Sequence, residues 1–178
     1  MWDMEPPKVE DGMEMMRCCQ YGIYERTLIF SLKYNGNRYI ARHIAEMMRD
    51  KLIHENRDRD YDVIVPVPLH KRKERQRGFN QTALIGKHLA KELGITCMPE
   101  ALIRVKETRP MRGLSPEERA ENVSGCFEVG NYAEDDLKGK RVLLIDDFYT
   151  TGATAMECRK VLEKSGLSGI GFMAFAAK

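Results

Sequence analysis

The sequence predicts an α/β domain with a central, mainly parallel sheet flanked by helices, and two observations predict it. Short apolar runs at 61–67 (YDVIVPV), 141–146 (RVLLID) and 169–176 (GIGFMAFA) are too short for helices and suit buried strands. They alternate with stretches of helical period, and that alternation builds parallel sheets. The chain has 178 residues, 43% hydrophobic and 31% charged, which suits one soluble domain with its own core.

The first 20 residues are polar and Met-rich and hold Pro6 and Pro7, so 1–20 reads as an N-terminal tail and 21–178 as the domain. Residues 21–34 (YGIYERTLIFSLKY) fit either a short strand or a helix pair, and Gly36 ends them. From Tyr39 onward, Ile40, Ile44, Met47, Met48 and Leu52 recur at helical spacing. Residues 37–54 should form an amphipathic helix whose Met stripe faces the core. The strand at 61–67 ends at Pro66 and Pro68, and a basic loop follows at 70–77 (HKRKERQR), with five Lys or Arg against one Glu.

Asn80 can cap the next helix. Ala83, Leu84, Leu89, Ala90 and Leu93 line its apolar side, and Gly94 follows its end. A strand is expected within 95–105, a long mobile loop at 108–119, and a strand at 123–129. After the strand at 141–146 come a helix at 151–165 and a last strand at 169–176.

The formal net charge is only +2, so the two basic stretches, 70–77 and 104–119, suggest local anion sites rather than a general basic face. The five cysteines are odd in number and form no CxxC pair, which argues for free thiols rather than a disulfide framework or a zinc ribbon. No apolar run reaches bilayer-spanning length. The opening MWDMEPPKVEDGMEMM lacks the apolar segment of a signal peptide, and a cytoplasmic protein is expected.

The chemistry concentrates at 142–154, VLLIDDFYTTGAT. A buried strand ends in two acids, Asp146 and Asp147, and a helix begins at the small run Thr150, Thr151, Gly152, Ala153 and Thr154. In an open α/β sheet, ligands sit beyond the carboxyl ends of the strands. Backbone N–H groups and the helix dipole at that run favour a phosphate, Gly152 permits close approach, and the Thr hydroxyls add donors. The acids would repel that phosphate but accept from neutral hydroxyls. One phosphate beside one vicinal diol describes a ribose 5-phosphate. The plainer alternative is that the acids only end the strand and cap the helix. There is no GxxxxGK[ST] loop and no GxGxxG after a strand. Only 32 residues follow Asp146, too few to complete a receiver-type domain.

This segment resembles the phosphoribosyl pyrophosphate (PRPP) signature of type I phosphoribosyltransferases. FSLKYNG (30–36), VPVPLHKRKERQRGFNQ (65–81) and RVKETRPMRGLSPEERAENVSGCF (104–127) precede it in the order of the competence protein F (ComF) family. The resemblance covers 21–178, and the chain is more distantly similar to amidophosphoribosyltransferases. It implies the type I phosphoribosyltransferase fold with a flexible hood, and it implies roles. Asp146 and Asp147 would hold the ribose hydroxyls, and Thr150, Thr151, Gly152, Ala153 and Thr154 the 5-phosphate. Pro68, Leu69, His70, Lys71 and Arg72 would take the pyrophosphate, bridged by Mg²⁺ that arrives through PRPP and for which no protein ligand is assigned. The hood at 104–119 would close over the reacting centre, with Arg104 and Arg109 acting there.

Compact cations suit a pyrophosphate, and His70, Lys71, Arg72, Arg75 and Arg77 supply them; Lys71 and Arg72 sit nearest the strand end, and His70 fits a contact or a surface position equally. Two classes of function follow from the resemblance. One is a phosphoribosyltransferase that moves the sugar phosphate from PRPP to an unnamed nitrogen acceptor and releases Mg-pyrophosphate. The other is a non-catalytic PRPP- or nucleotide-binding module in DNA uptake or regulation. That module would meet competence partners, or single-stranded DNA through the stretches at 70–77 and 104–119. A homo-oligomer is the expected assembly. No four-cysteine zinc module precedes the domain, Cys18-Cys19 being at most a remnant, and there is no glutaminase segment. Zinc-mediated contacts and transfer from glutamine are therefore not expected.

Overall fold

The computed structural model describes residues 2–109, 113–131 and 133–178. Six strands form the central sheet: β1 (Lys8–Glu10), β2 (Met13–Gln20), β3 (Val63–Pro66), β4 (Thr96–Cys97), β7 (Arg141–Tyr149) and β8 (Gly169–Ala177). Their spatial order is β1-β2-β8-β7-β3-β4. Only the β1–β2 hairpin is antiparallel; β2–β8, β8–β7, β7–β3 and β3–β4 are all parallel. A separate two-stranded antiparallel ribbon pairs β5 (Leu102–Arg104) with β6 (Phe127–Val129).

Helices α1 (Ile23–Tyr34), α2 (Ile40–His54) and α4 (Gln81–Leu93) cover one face. The other carries α5 (Pro116–Val123), α6 (Ala133–Leu137), α7 (Ala153–Leu162) and the ribbon. The pleat sorts the strands between them. Ile64, Leu143, Ile145, Met173 and Phe175 face the first layer, while Val63, Val65, Val142, Leu144, Phe172 and Ala174 face the second. No helix of the described residues is long and apolar enough to cross a membrane.

The strand order reverses between β3 and β7. The chain leaves β3 towards β4 through α4, and leaves β7 towards β8 through α7, on the opposite face. The loops at the carboxyl ends of β3 and β7 therefore diverge, and a crevice opens where α/β sheets bind ligands.

Several local expectations change. Residues 13–20, read as tail, form β2 beside β8, and Met13, Met15, Met16, Cys18 and Cys19 are buried. A Met-rich run with few β-branched residues carries little strand signal; its pairing with the apolar β8 decides the outcome. The undecided segment 21–34 is helical, with Ile29 and Leu32 turned inward. Residues 71–77, read as a loop, are helix α3 (Lys71–Arg77), capped by His70, whose Nδ1 accepts from the Arg72 N–H at 3.3 Å. The loop expected to 119 ends at Ser115, which opens α5 with a capping box to Glu118 and Pro116 behind it.

If residues 13–20 are sheet rather than tail, Met16→Ala should cost about 2–5 kcal/mol in chemical unfolding. A loss within about 0.5 kcal/mol, as at an exposed site, would sink this placement.

Candidate functional site

β7 delivers Asp146 and Asp147 to the crevice, and α7 starts directly behind them. Gly152 is the N-cap of α7 with φ 73°, a left-handed conformation that strains other residues. A Cβ there would also lie 3.3 Å from Glu10 Oε2 and from the Tyr149 ring. The Tyr149 phenol donates to Glu10 at 3.0 Å, so the N-terminal hairpin braces the back of this loop. Burial, then the bond to Glu10, pushes that phenol up to about 12.

On the β3 side, Asn80 organises the turn. Its Oδ1 accepts from the Thr82 N–H at 3.0 Å and the Ala83 N–H at 3.4 Å, and its Nδ2 donates to the Val67 carbonyl at 3.2 Å. One side chain thus caps α4 and ties it to the end of β3.

The two acids differ. Asp147 is buried, and its Oδ2 receives both Lys33 Nζ and Gln81 Nε2 at 2.7 Å. Among the described residues its Oδ1 accepts no hydrogen bond. Burial works against the Lys33 charge, but Asp147 outweighs it and raises the ammonium's pKa. Gln81 is held in turn by Arg77, whose guanidinium lies 5.5 Å over the Tyr34 ring. Asp146 accepts the Asp147 N–H at 2.8 Å. Burial first, then the neighbouring Asp147 charge, pushes the Asp146 carboxyl up to about 7.

A cavity of about 550 Å³ gathers these groups. Its lining includes Asp146, Asp147, Thr150, Thr151, Gly152, Ala153, Thr154, Pro68, Leu69, Arg104 and Arg109, so most of the expected site residues meet in one place. His70, Lys71 and Arg72 are not in the lining; Lys73 is. The helical period of α3 explains this, because Lys73 and Arg77 share its half-buried side while Lys71, Arg72 and Arg75 point to solvent. Arg72 pairs on the surface with Glu107 at 3.2 Å.

Arg104 stacks 5.4 Å over Phe127 and donates to Thr108 at 2.5 Å. Arg109 is clipped through its backbone to Asn122, which accepts its N–H at 3.0 Å and donates to its carbonyl at 2.9 Å. Residues 110–112 of the hood lie outside the described residues. Sequence reading missed Lys33, Lys73, Gln81, Thr82 and Arg119, all of which line the cavity. Lys33 and Gln81 do stand within the quoted FSLKYNG and VPVPLHKRKERQRGFNQ segments, which was the available signal.

No family model matches the chain. Competence protein F of Haemophilus influenzae is 32% identical over 146 residues, 80% of this chain and 63% of the relative. The DNA utilization protein YhgH of Escherichia coli K12 is 30% identical over the same shares. The chain is a homologue of competence protein F. It spans 63% of the length of these two relatives.

The structure aligns with an allosteric regulatory enzyme of purine biosynthesis at a TM-score of 0.51 and 18% identity, over 75% of this chain and 25% of that one. An adenine phosphoribosyltransferase of Saccharomyces cerevisiae (17% identity, 80% of this chain and 69% of that one) and an orotate phosphoribosyltransferase of Mycobacterium tuberculosis (16% identity, 78% and 61%) align more loosely, each at a TM-score of 0.46. The chain carries the type I phosphoribosyltransferase fold, a mostly parallel sheet between helices.

The raised Asp146 value has a consequence for stability. The folded protein keeps that proton up to about pH 7, whereas the unfolded chain releases it near 3.8, so the folded state binds more protons between the two. Stability of the ligand-free protein should fall as pH rises through that window and level off above it. Asp146→Asn should flatten the profile and raise Tm above pH 7 by about 3 °C or more. A variant whose Tm follows the wild type across this range would sink the assignment.

Proposed function

We propose that the chain binds PRPP in this cavity and transfers its ribose 5-phosphate to a nitrogen acceptor, releasing pyrophosphate. The observation that carries the reading is convergence. A hydroxyl-accepting acidic pair, a phosphate-sized loop at a helix N-terminus and several cations line one cavity at the strand-order reversal. The free Oδ1 of Asp147 and the Asp146 carboxyl take the ribose hydroxyls. The N–H groups and hydroxyls of 150–154 take the 5-phosphate.

In the transfer, the C1–O bond to pyrophosphate breaks and its electron pair leaves with the pyrophosphate. The acceptor nitrogen's lone pair forms the new C1–N bond, and that nitrogen gives up one proton to water or to the departing pyrophosphate. Positive charge builds on the sugar ring, and the Asp147 carboxylate beside it offsets part of that charge. Arg104 and Arg109 line the cavity from the hood side, where they can face the departing anion. Among the described residues no three His, Cys, Asp or Glu side chains converge as a metal cage. A magnesium ion arriving with the ligand would neutralise the leaving group.

Calorimetric titration with PRPP and Mg²⁺ tests the reading. Wild type should bind, and Asp147→Asn should weaken binding by about tenfold or more, the value of a charge-assisted hydrogen bond. A folded wild type that binds no PRPP overturns it.

A second reading rests on a different surface. Phe30 and Tyr34 are exposed with ring centroids 4.8 Å apart, and Arg77 lies over Tyr34. Aromatic rings beside arginine suit single-stranded nucleic acid, and one relative is named a DNA utilization protein. On this reading, single-stranded oligonucleotide binding falls steeply with salt and drops by about 1–3 kcal/mol in Tyr34→Ala. Binding that ignores both salt and Tyr34 rules it out.

A further inference from the structure

We propose that Glu10 is a positioning residue for the loop at 150–154: acting through the Tyr149 phenol, it orders that loop in the shape that takes the ligand's phosphate. The inference rests on the PRPP reading above for the identity of the phosphate, and on the hairpin's own contacts for the rest.

Glu10 is half-buried, and both of its oxygens turn to one donor, the Tyr149 phenol, at 3.0 and 3.1 Å. The cations nearest in the fold do not serve it: Lys8 pairs with Glu5, and Arg17 with Asp3 and Glu5. A carboxylate drawn partly out of water holds on to the donor it has, so this bond fixes the ring as firmly as the acid. The ring also packs on Phe172, with centroids 5.9 Å apart.

The pair meets the loop at its cap. A Cβ built on Gly152 would lie 3.3 Å from Glu10 Oε2, from Tyr149 Cε2 and from Tyr149 Oη, so acid and phenol together back the open face of that residue. Gly152 is the loop's left-handed residue, and its φ of 73° turns the chain into α7 and aims the N–H groups that follow. A second cavity, of about 180 Å³, adjoins Tyr149, Glu10 and Phe172. Without the bond to Glu10 the ring has room to swing away, and the cap loses its backing. The hairpin that carries Glu10 is anchored to the same helix. Its turn, Asp11 and Gly12, has φ of 48° and 84°, and Arg159 of α7 donates to the Asp11 carbonyl. The hairpin therefore grips α7 at its cap and again further along, and delivers Glu10 from a fixed support.

The test measures amide hydrogen exchange in the ligand-free protein and titrates ribose 5-phosphate, for wild type, Glu10→Ala, Glu10→Gln and Tyr149→Phe. Glu10→Ala and Tyr149→Phe should speed exchange at 150–154 while β3 and β8 keep wild-type rates. Each should weaken ribose 5-phosphate about fivefold, the value of one hydrogen bond, and the double variant should bind no more weakly than either alone. The amide oxygen of Glu10→Gln still accepts from the phenol, so that variant should stay within about twofold of wild type.

Wild-type exchange at 150–154 in Glu10→Ala overturns the proposal. So does faster exchange with unchanged ribose 5-phosphate affinity, which would make the contact one of packing alone, or a Glu10→Gln variant as impaired as Glu10→Ala. Failure of wild type to bind ribose 5-phosphate sinks the parent reading, while the exchange comparison still decides whether Glu10 orders the loop.

Discussion

A carboxylate cannot be taken out of water unless partners replace its hydration. Asp147 is buried, and its partners come from separate parts of the chain: Lys33 from α1 and Gln81 from the first residue of α4. Gln81 is oriented by Arg77 of α3, which rests on Tyr34, back on α1. Helices α1, α3 and α4 are thus docked around the end of β7 by one negative charge. Were Asp147 neutral, Lys33 would be the buried charge without a partner. The arrangement fixes the rim of the cavity before any ligand arrives.

The neighbouring acid obeys the same electrostatics with the opposite result. Lys33 and Gln81 both serve Oδ2 of Asp147, and Asp146 is left with the Asp147 N–H and a nearby negative charge. Two adjacent carboxyls in a desolvated crevice cannot both stay ionised at little cost. The pair therefore splits into one ion-paired carboxylate and one carboxyl that titrates at about 7. A protonated Asp146 can donate as well as accept, so a vicinal diol finds complementary partners in either of its own orientations.

What could be read from the sequence is what local chemistry decides. The run at 142–154 declared a strand, two acids and a helix start, and Asn80 and Gly94 bracket α4 as expected. Ile40, Ile44, Met48 and Leu52 placed α2 and its buried face. Strand β2 was hidden because Met-rich sequence has weak preference and only β8 makes it a strand. The segment 70–77 was read by proximity to β3, which favoured Lys71 and Arg72; once it is helical, spacing rules instead and selects Lys73 and Arg77. Lys33 and Gln81 lie 114 and 66 residues from Asp147, and no local pattern encodes such pairings.

The balance of charge in the crevice carries the final step. With Asp146 largely neutral below pH 7, Asp147 is the principal negative charge there, and Lys33 cancels it. Lys73, Arg104, Arg109 and Arg119 remain in the lining and make the cavity cationic. Like charges confined at low dielectric store repulsion. Burial first, and then that repulsion, lower the Lys73 pKa, and among the described residues the buried Nε of Arg104 has no partner. A neutral sugar or a free base would leave both costs in place. Anionic groups brought into the crevice would relieve both costs, which is why the charge balance supports an anionic ligand rather than a neutral one.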